Sequence, residues 1–337
     1  MVVTILFAEE TKNHNRIGLN LQKNRTRSSL KITFFLICFA VVVVFESACE
    51  SQKPVAPLKV PAFDKHNAFA HLTNQVAFGA RVPGSEAHAA CLAYLDSTLN
   101  EYAESVVQQS FEHTIEQTGE TVQLTNLIAS FGTSIGQRVL LAAHWDCRPW
   151  ADSEIDSVKA KQPVPGANDG ASGVAVLLEI ARILKNDPPP VGVDIIFFDG
   201  EDFGIHGRDE TWAVGAQHFA SKKDPRYTPQ IGLLLDMIGD KNLKLMKEGY
   251  SMHYAPGVVD FVWSYASRLG ISEFVAEETG PITDDHLPLL KAGIPCINLI
   301  DLDYAYHHTV EDTPDKCSPE SLEKVGKVAL AVVYNPQ

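Results

Sequence analysis

Three apolar runs in this chain end in groups that carry protons or hold cations. Residues 139–143 (Val-Leu-Leu-Ala-Ala) lead into His144, Trp145 and Asp146, and residues 195–198 (Ile-Ile-Phe-Phe) lead into Asp199, Gly200, Glu201 and Asp202. Residues 231–235 (Ile-Gly-Leu-Leu-Leu) lead into Asp236. Between the first two lies Gly166-Ala167-Asn168-Asp169-Gly170, just ahead of an apolar stretch with helical spacing. Short apolar runs of this kind read as buried strands. Carboxylates and a histidine at strand ends would gather at one edge of a parallel sheet, where open α/β folds place their sites. Oxygen and imidazole donors converging there suit zinc, which catalytic sites hold through His, Asp and Glu with one position left open.

Each group also has a plainer explanation. Asp169, with glycines around it, can simply cap the helix that follows, and taken alone that is the better reading. The acidic strand ends beside it reverse that preference. Glu201 and Asp202 fit a solvated acidic loop, but a burial-prone strand immediately precedes them. Neighbouring side chains on extended backbone point opposite ways, so one can hold a metal while the other faces substrate. Asp146 is a candidate to orient the His144 ring. Asp284-Asp285-His286 opens a short helix, where carboxylates often do no more than complement the dipole. His307 and His308 follow the apolar run 294–300, and one or both are candidate ligands. No Gly-x-x-x-x-Gly-Lys loop or His-Glu-x-x-His pair occurs, which leaves P-loop chemistry and that zinc motif without support.

Periodicity predicts helices over 64–78, 86–102, 171–184, 213–221, 256–269, 287–292 and 318–334. It predicts strands over 105–113, 121–130, 139–143, 193–198, 231–236 and 294–300. Strands alternating with helices imply a parallel or mixed sheet covered on both faces. At 337 residues and 45% hydrophobic, the chain can bury a sizeable core. The expected organisation is a lead over 1–49, a proline-rich linker over 50–61 and a single catalytic domain over 62–337. In the lead, Lys23, Arg25, Arg27 and Lys31 precede the apolar run 32–45, which is too short for a comfortable membrane span. Ala48-Cys49 then resembles a lipoprotein cleavage point. The expectation is export to the periplasm or outer membrane as a signal-bearing lipoprotein, with plain secretion or an uncut anchor as alternatives. The net charge of -14 and the lack of a basic stripe argue against a nucleic-acid partner. The six cysteines include no Cys-x-x-Cys, so zinc on thiols is not expected, and no disulfide can be assigned from spacing.

The ordered set of His-x-Asp, Asp-Gly before a helix, Glu-Asp, a later Asp and a C-terminal His resembles the zinc aminopeptidase superfamily. Within it, the chain looks most like the bacterial glutaminyl cyclases. The resembling segments are 144–152, 166–184, 197–204, 234–240 and 283–309, and they cover residues 65–335. The resemblance implies a three-layer sandwich, with a central, mixed and mostly parallel sheet flanked by helices. It implies one zinc on Asp169, Asp202 and His308, with Glu201 as proton shuttle and Asp236 and Asp284 as catalytic carboxylates bonded near it. The implied substrates are peptides with N-terminal glutamine, cyclised to pyroglutamate with release of ammonia. The Asp284-Asp285 pair carries the distinction, since hydrolytic relatives more often have Ser-Asp-His there. Two departures stand out: Asp202 is one methylene shorter than the usual glutamate, and His307 stands where the animal enzymes carry tryptophan. Two other readings remain open. In a two-zinc hydrolytic aminopeptidase, His144 and Asp236 would complete a second site bridged by Asp169. The third is a non-enzymatic binding protein on the same fold. Trp145, Trp150 and His307 are candidate pocket walls, with core packing equally good for the two tryptophans.

Overall fold

The apolar runs become strands because their branched and aromatic side chains can be buried on both faces of a sheet. A computed structural model describes residues 56–336, so the expected export segment 1–49 and residues 50–55 of the linker lie outside the described residues. In chain order the strands are β1 (Ser105–Thr114), β2 (Thr121–Phe131), β3 (Arg138–His144), β4 (Gly192–Phe198), β5 (Ile231–Asp236), β6 (Leu245–Lys247), β7 (Phe274–Glu278) and β8 (Cys296–Ile300). The helices are α1 (Lys65–Ala77), α2 (Glu86–Tyr102), α3 (Ala171–Asn186), α4 (Val214–Lys222), α5 (Gly249–Tyr254), α6 (Pro256–Arg268), α7 (His286–Lys291) and α8 (Pro319–Tyr334).

Six strands form one mixed sheet in the order β1-β2-β4-β3-β5-β8. β4, β3, β5 and β8 run parallel, while β2 and β1 add an antiparallel edge. Alternate strand residues feed opposite faces. Leu141, Ala143, Ile195, Phe197, Leu233 and Leu235 pack with residues of α1, α2, α3, α6 and α8. Leu140, Ala142, Ile196, Phe198 and Leu234 pack with Ala216 and Phe219 of α4 and Leu289 of α7. This is the expected three-layer arrangement. β6 and β7 form a separate parallel pair. They and α5 were not expected, because Leu245–Lys247, Phe274–Glu278 and Gly249–Tyr254 carry no sustained apolar run. The residues from Leu58 onward pack as one compact unit.

β3 is flanked by β4 on one side and β5 on the other, so the winding of the chain reverses beside it. Open sheets of this kind bind ligands in the crevice at the carboxyl ends of such strands. His144 ends β3, Asp199–Asp202 follow β4, Asp236 ends β5, and the loop after β8 reaches His308. Cys91, Cys147, Cys296 and Cys317 are all buried and free.

Candidate active site

Asp169 is fixed by the turn it sits in. Gly170 has φ 95°, and a Cβ there would meet the Asp146 carbonyl at 2.7 Å and the His144 ring at 3.1 Å. Glycine is therefore required for α3 to start this close to β3. Asp312 accepts hydrogen bonds from the amides of Asn168 (2.9 Å) and Asp169 (3.1 Å) and from the Tyr304 hydroxyl (2.6 Å). The alternative role for Asp169, capping α3, is not taken: Gly170 holds the cap position and the Asp169 carboxylate faces His144 and His308.

The side chains marked out by the sequence converge. His308 Nε2 lies 3.1 Å from Asp202 Oδ1 and 3.6 Å from Asp169 Oδ2. His144 Nε2 lies 3.1 Å from Asp169 Oδ1 and 3.2 Å from Asp236 Oδ1. Asp169, Asp202, Asp236, Asp284, Glu201, His144 and His308 are all buried. Three overlapping groups place one donor atom per residue within 4.8 Å: His144-Asp169-Asp202, Asp169-His307-His308, and Asp152-His206-His308. Asp202 Oδ2 is buried and has no hydrogen-bond partner. Buried carboxylates in this number demand a cation, and hard oxygen with imidazole donors is the zinc set. The residues present therefore fit that metal.

The backbone is strained where these residues are presented. His308 has φ 55° and Met237, directly after Asp236, has φ 47°. Non-glycine residues in this region are uncommon and cluster at functional sites. Beyond the ligands, Arg148 binds Asp152 through Nε (2.8 Å) and Nη2 (2.5 Å) and donates to the carbonyls of Asp202 and Gly204. Asp152 Oδ1 in turn lies 3.6 Å from His308 Nδ1, beyond hydrogen-bond range.

Charge sets the proton affinities. Burial pushes the Glu201 carboxyl well above its ordinary range, and Asp202 and Asp284 push it further. Burial and then Asp236 push Asp284 up to about 7. Burial also raises Asp236, against the opposing pull of His144. Asp169 is held well below the carboxylate range: burial opposes this, but His144 and His308 outweigh it. Burial pushes His307 down, and His308 adds to this. Two close carboxyls cannot both ionise freely, so Glu201 and Asp284 hold one proton between them, and with it on Asp284 the Glu201 carboxylate is free to accept another.

Some expectations are corrected. Asp146 does not hydrogen-bond the His144 ring, whose Nδ1 lies 3.6 Å away. Its carboxylate instead accepts from the amides of Glu201 (3.1 Å) and Asp202 (3.2 Å), which fixes the turn carrying both. No described residue hydrogen-bonds the Glu201 carboxyl. Asp284 is held by Asn298 Nδ2 (2.6 Å) and the Asp285 amide (2.5 Å), and acts on Glu201 through charge. Trp145 and Trp150 do not wall the pocket. Trp145 is buried, donates to the Thr125 carbonyl and stacks on His88 at 4.2 Å, while Trp150 packs beside Leu124 and Phe203. Both face the packed interior because the chain beyond β3 turns them away from the sheet edge.

The cavity itself measures about 380 Å³ and is lined by Asp169, Glu201, Asp202, Asp236, Asp284, His307 and His308, with Trp212, Tyr250, Ile282 and Leu302 among its walls. Trp212 is the aromatic wall that sequence reasoning missed. It lies so flat on Gly204 that a Cβ there would stand 1.7 Å from the ring. Arg148 lies over it at 4.9 Å and the His308 ring runs parallel to it. Its place in a long loop gives no periodic signal.

The family model "Peptidase family M28" matches residues 126–333. A crystal structure of Bacteroides thetaiotaomicron glutaminyl cyclase bound to N-acetylhistamine superposes with a TM-score of 0.79 at 38% identity, covering 83% of this chain and all of that one. A Zn-dependent exopeptidase from Parabacteroides distasonis superposes with a TM-score of 0.79 at 40% identity, covering 82% of this chain and all of that one. The Bacillus subtilis aminopeptidase YwaD is 30% identical over 206 residues, which are 58% of this chain. The match spans 40% of that aminopeptidase's length.

Proposed function

The chain belongs to peptidase family M28, and from that premise we propose that it is a glutaminyl cyclase, converting N-terminal glutamine of peptides to pyroglutamate. The reading is carried by Asp284, the residue that separates cyclases from hydrolytic relatives in the resemblance. It lines the same cavity as Glu201 and is buried beside Asp236. The full-length likeness to a bacterial glutaminyl cyclase supports it.

Asp169, Asp202 and His308 would hold a single zinc. When bound, zinc supplies a Lewis acid for the side-chain amide oxygen of the glutamine. The chain's own residues do the rest. Asp236 and Asp284 face the substrate's α-amino group and hold it against the amide carbon, which supplies rate through orientation. Glu201 accepts a proton from the attacking amine. The bond from the α-nitrogen to the amide carbon forms, the bond from that carbon to the amide nitrogen breaks, and Glu201 returns the proton to the departing ammonia. Trp212 and Tyr250 exclude water, which the ring closure does not need.

A two-metal aminopeptidase is the second reading, favoured by His144 Nε2 lying 3.1 and 3.2 Å from Asp169 and Asp236. Peptides starting with Gln and with Leu separate the two. Ammonia with intact peptide bonds supports cyclisation, and free amino acid from either peptide overturns it. Export with lipid on Cys49 is proposed from the basic flank and apolar run of the lead. An unmodified N-terminus upstream of Cys49 in native membranes would refute that.

A further inference from the structure

His307 stands on the same carboxylate oxygen as the ligand histidine. Asp169 divides its oxygens: Oδ1 faces His144 Nε2, while Oδ2 faces His308 Nε2 at 3.6 Å and His307 Nε2 at 3.8 Å. Donors around a tetrahedral zinc with bonds of about 2.0–2.2 Å are separated by roughly 3.3–3.6 Å. The separations of 3.6 and 3.8 Å for His308–Asp169 and His307–Asp169 lie within a few tenths of such a spacing, and Asp169, His307 and His308 form one group of donors within 4.8 Å, while Asp202 joins through His308 at 3.1 Å.

The backbone brings both rings to one side. On an extended chain His307 and His308 would point apart. His308 is in the left-handed region, φ 55°, and the two ring centroids are 3.7 Å apart. That conformation costs about 1–2 kcal/mol for a residue with a Cβ. His307 is partly exposed and lines the cavity. Asp169 Oδ2 lies too far from its Nε2 for a hydrogen bond. The ring is thus beside the proposed ligand set and carries a free donor atom.

We propose that His307 is a fourth protein ligand to zinc in the substrate-free enzyme. It fills the position that Asp169, Asp202 and His308 leave open, and it yields that position to the amide oxygen of the incoming substrate. The proposal rests on the three-ligand zinc site proposed above. It has two consequences. Zinc is retained more tightly between turnovers, and substrate binding includes the displacement of one imidazole.

The test uses the whole protein loaded with one equivalent of cobalt(II). Its paramagnetic proton spectrum counts the exchangeable imidazole N–H groups of ligand histidines. Wild type is expected to show two, and His307→Ala and His307→Phe one. Zinc transfer to a competing chelator is expected to speed up at least as much as loss of an outer-sphere partner costs, about 10–100-fold. One N–H in wild type, or an unchanged count and unchanged zinc release in both variants, overturns the proposal. The ligand set is checked separately: cobalt retained unchanged by Asp169→Asn and Asp202→Asn would sink the zinc site itself, whereas tight cobalt with one N–H would sink the role of His307 alone.

Discussion

Glu248 lies outside the cavity, yet the wall of the cavity hangs on it. Its Oε1 accepts from the amides of Tyr250 (2.7 Å) and Ile282 (2.9 Å). Its Oε2 accepts from the amide and hydroxyl of Ser251 (both 2.7 Å) and contacts His286 Nε2 at 3.0 Å. Ser251 Oγ also accepts from the Asn298 amide, and Asn298 holds Asp284. Burial alone would raise the Glu248 carboxyl, but His286 and the amides of Ser251 and Tyr250 more than reverse this, from 4.5 to about 2. At ~1.4 kcal/mol per unit, the ionised group contributes about 3 kcal/mol at neutral pH. The folded value lies below the unfolded one, so this stability is fully present above pH 4.5 and is lost as pH falls towards 2. Near pH 3 less than half remains. Glu248→Gln keeps the volume but turns an amide NH2 towards donors that need an acceptor, and leaving such buried groups unpaired costs about 1–3 kcal/mol each. A loss of about 3 kcal/mol in a domain of this size lowers Tm by roughly 6–12 °C. The assay is thermal unfolding of zinc-free wild type and variant at neutral pH and at pH 3. The difference should be large at neutral pH and shrink in acid. An equal Tm at neutral pH, or a difference that does not shrink, would refute the reasoning.

Three further outcomes are expected. Glu201→Gln should retain zinc and fold while losing about 10²–10⁴-fold in cyclisation rate, the usual weight of a general acid–base group; near-normal turnover would remove Glu201 from proton transfer. Trp212→Ala should raise KM about 5–30-fold, equivalent to the ~1–2 kcal/mol of an aromatic wall with a cation on its other face, and an unchanged KM would show that the indole does not meet substrate. Chelation should abolish activity and lower Tm, because the acidic cluster is left without its cation, and micromolar zinc should restore both; full activity after exhaustive chelation would overturn the metal site.

The parallel strands were legible because they are apolar on both faces, a pattern that long loops do not produce. The carboxylates of the candidate site were legible for a related reason. Asp169, Asp202 and Asp236 stand at the ends of such strands or in a glycine turn beside them, so topology brings them together once the strands are parallel. What the sequence hid was direction. The alternation rule does not say which way Trp145 turns once β3 ends, and it points into the core. It does not reveal that Asp146 serves the backbone of Glu201 and Asp202 in preference to its neighbour His144. Nor does it foresee that a left-handed His308 swings its ring beside that of His307. Each is a consequence of backbone angles at single loop residues, where no periodicity constrains the chain. Glu248 was hidden for another reason: its five donors come from α5, the 281–284 loop and α7, brought together by the small β6–β7 pair. The candidate site residues can therefore be read from their places at strand ends and turns, but the residues that aim them depend on loops whose conformation only the folded structure defines.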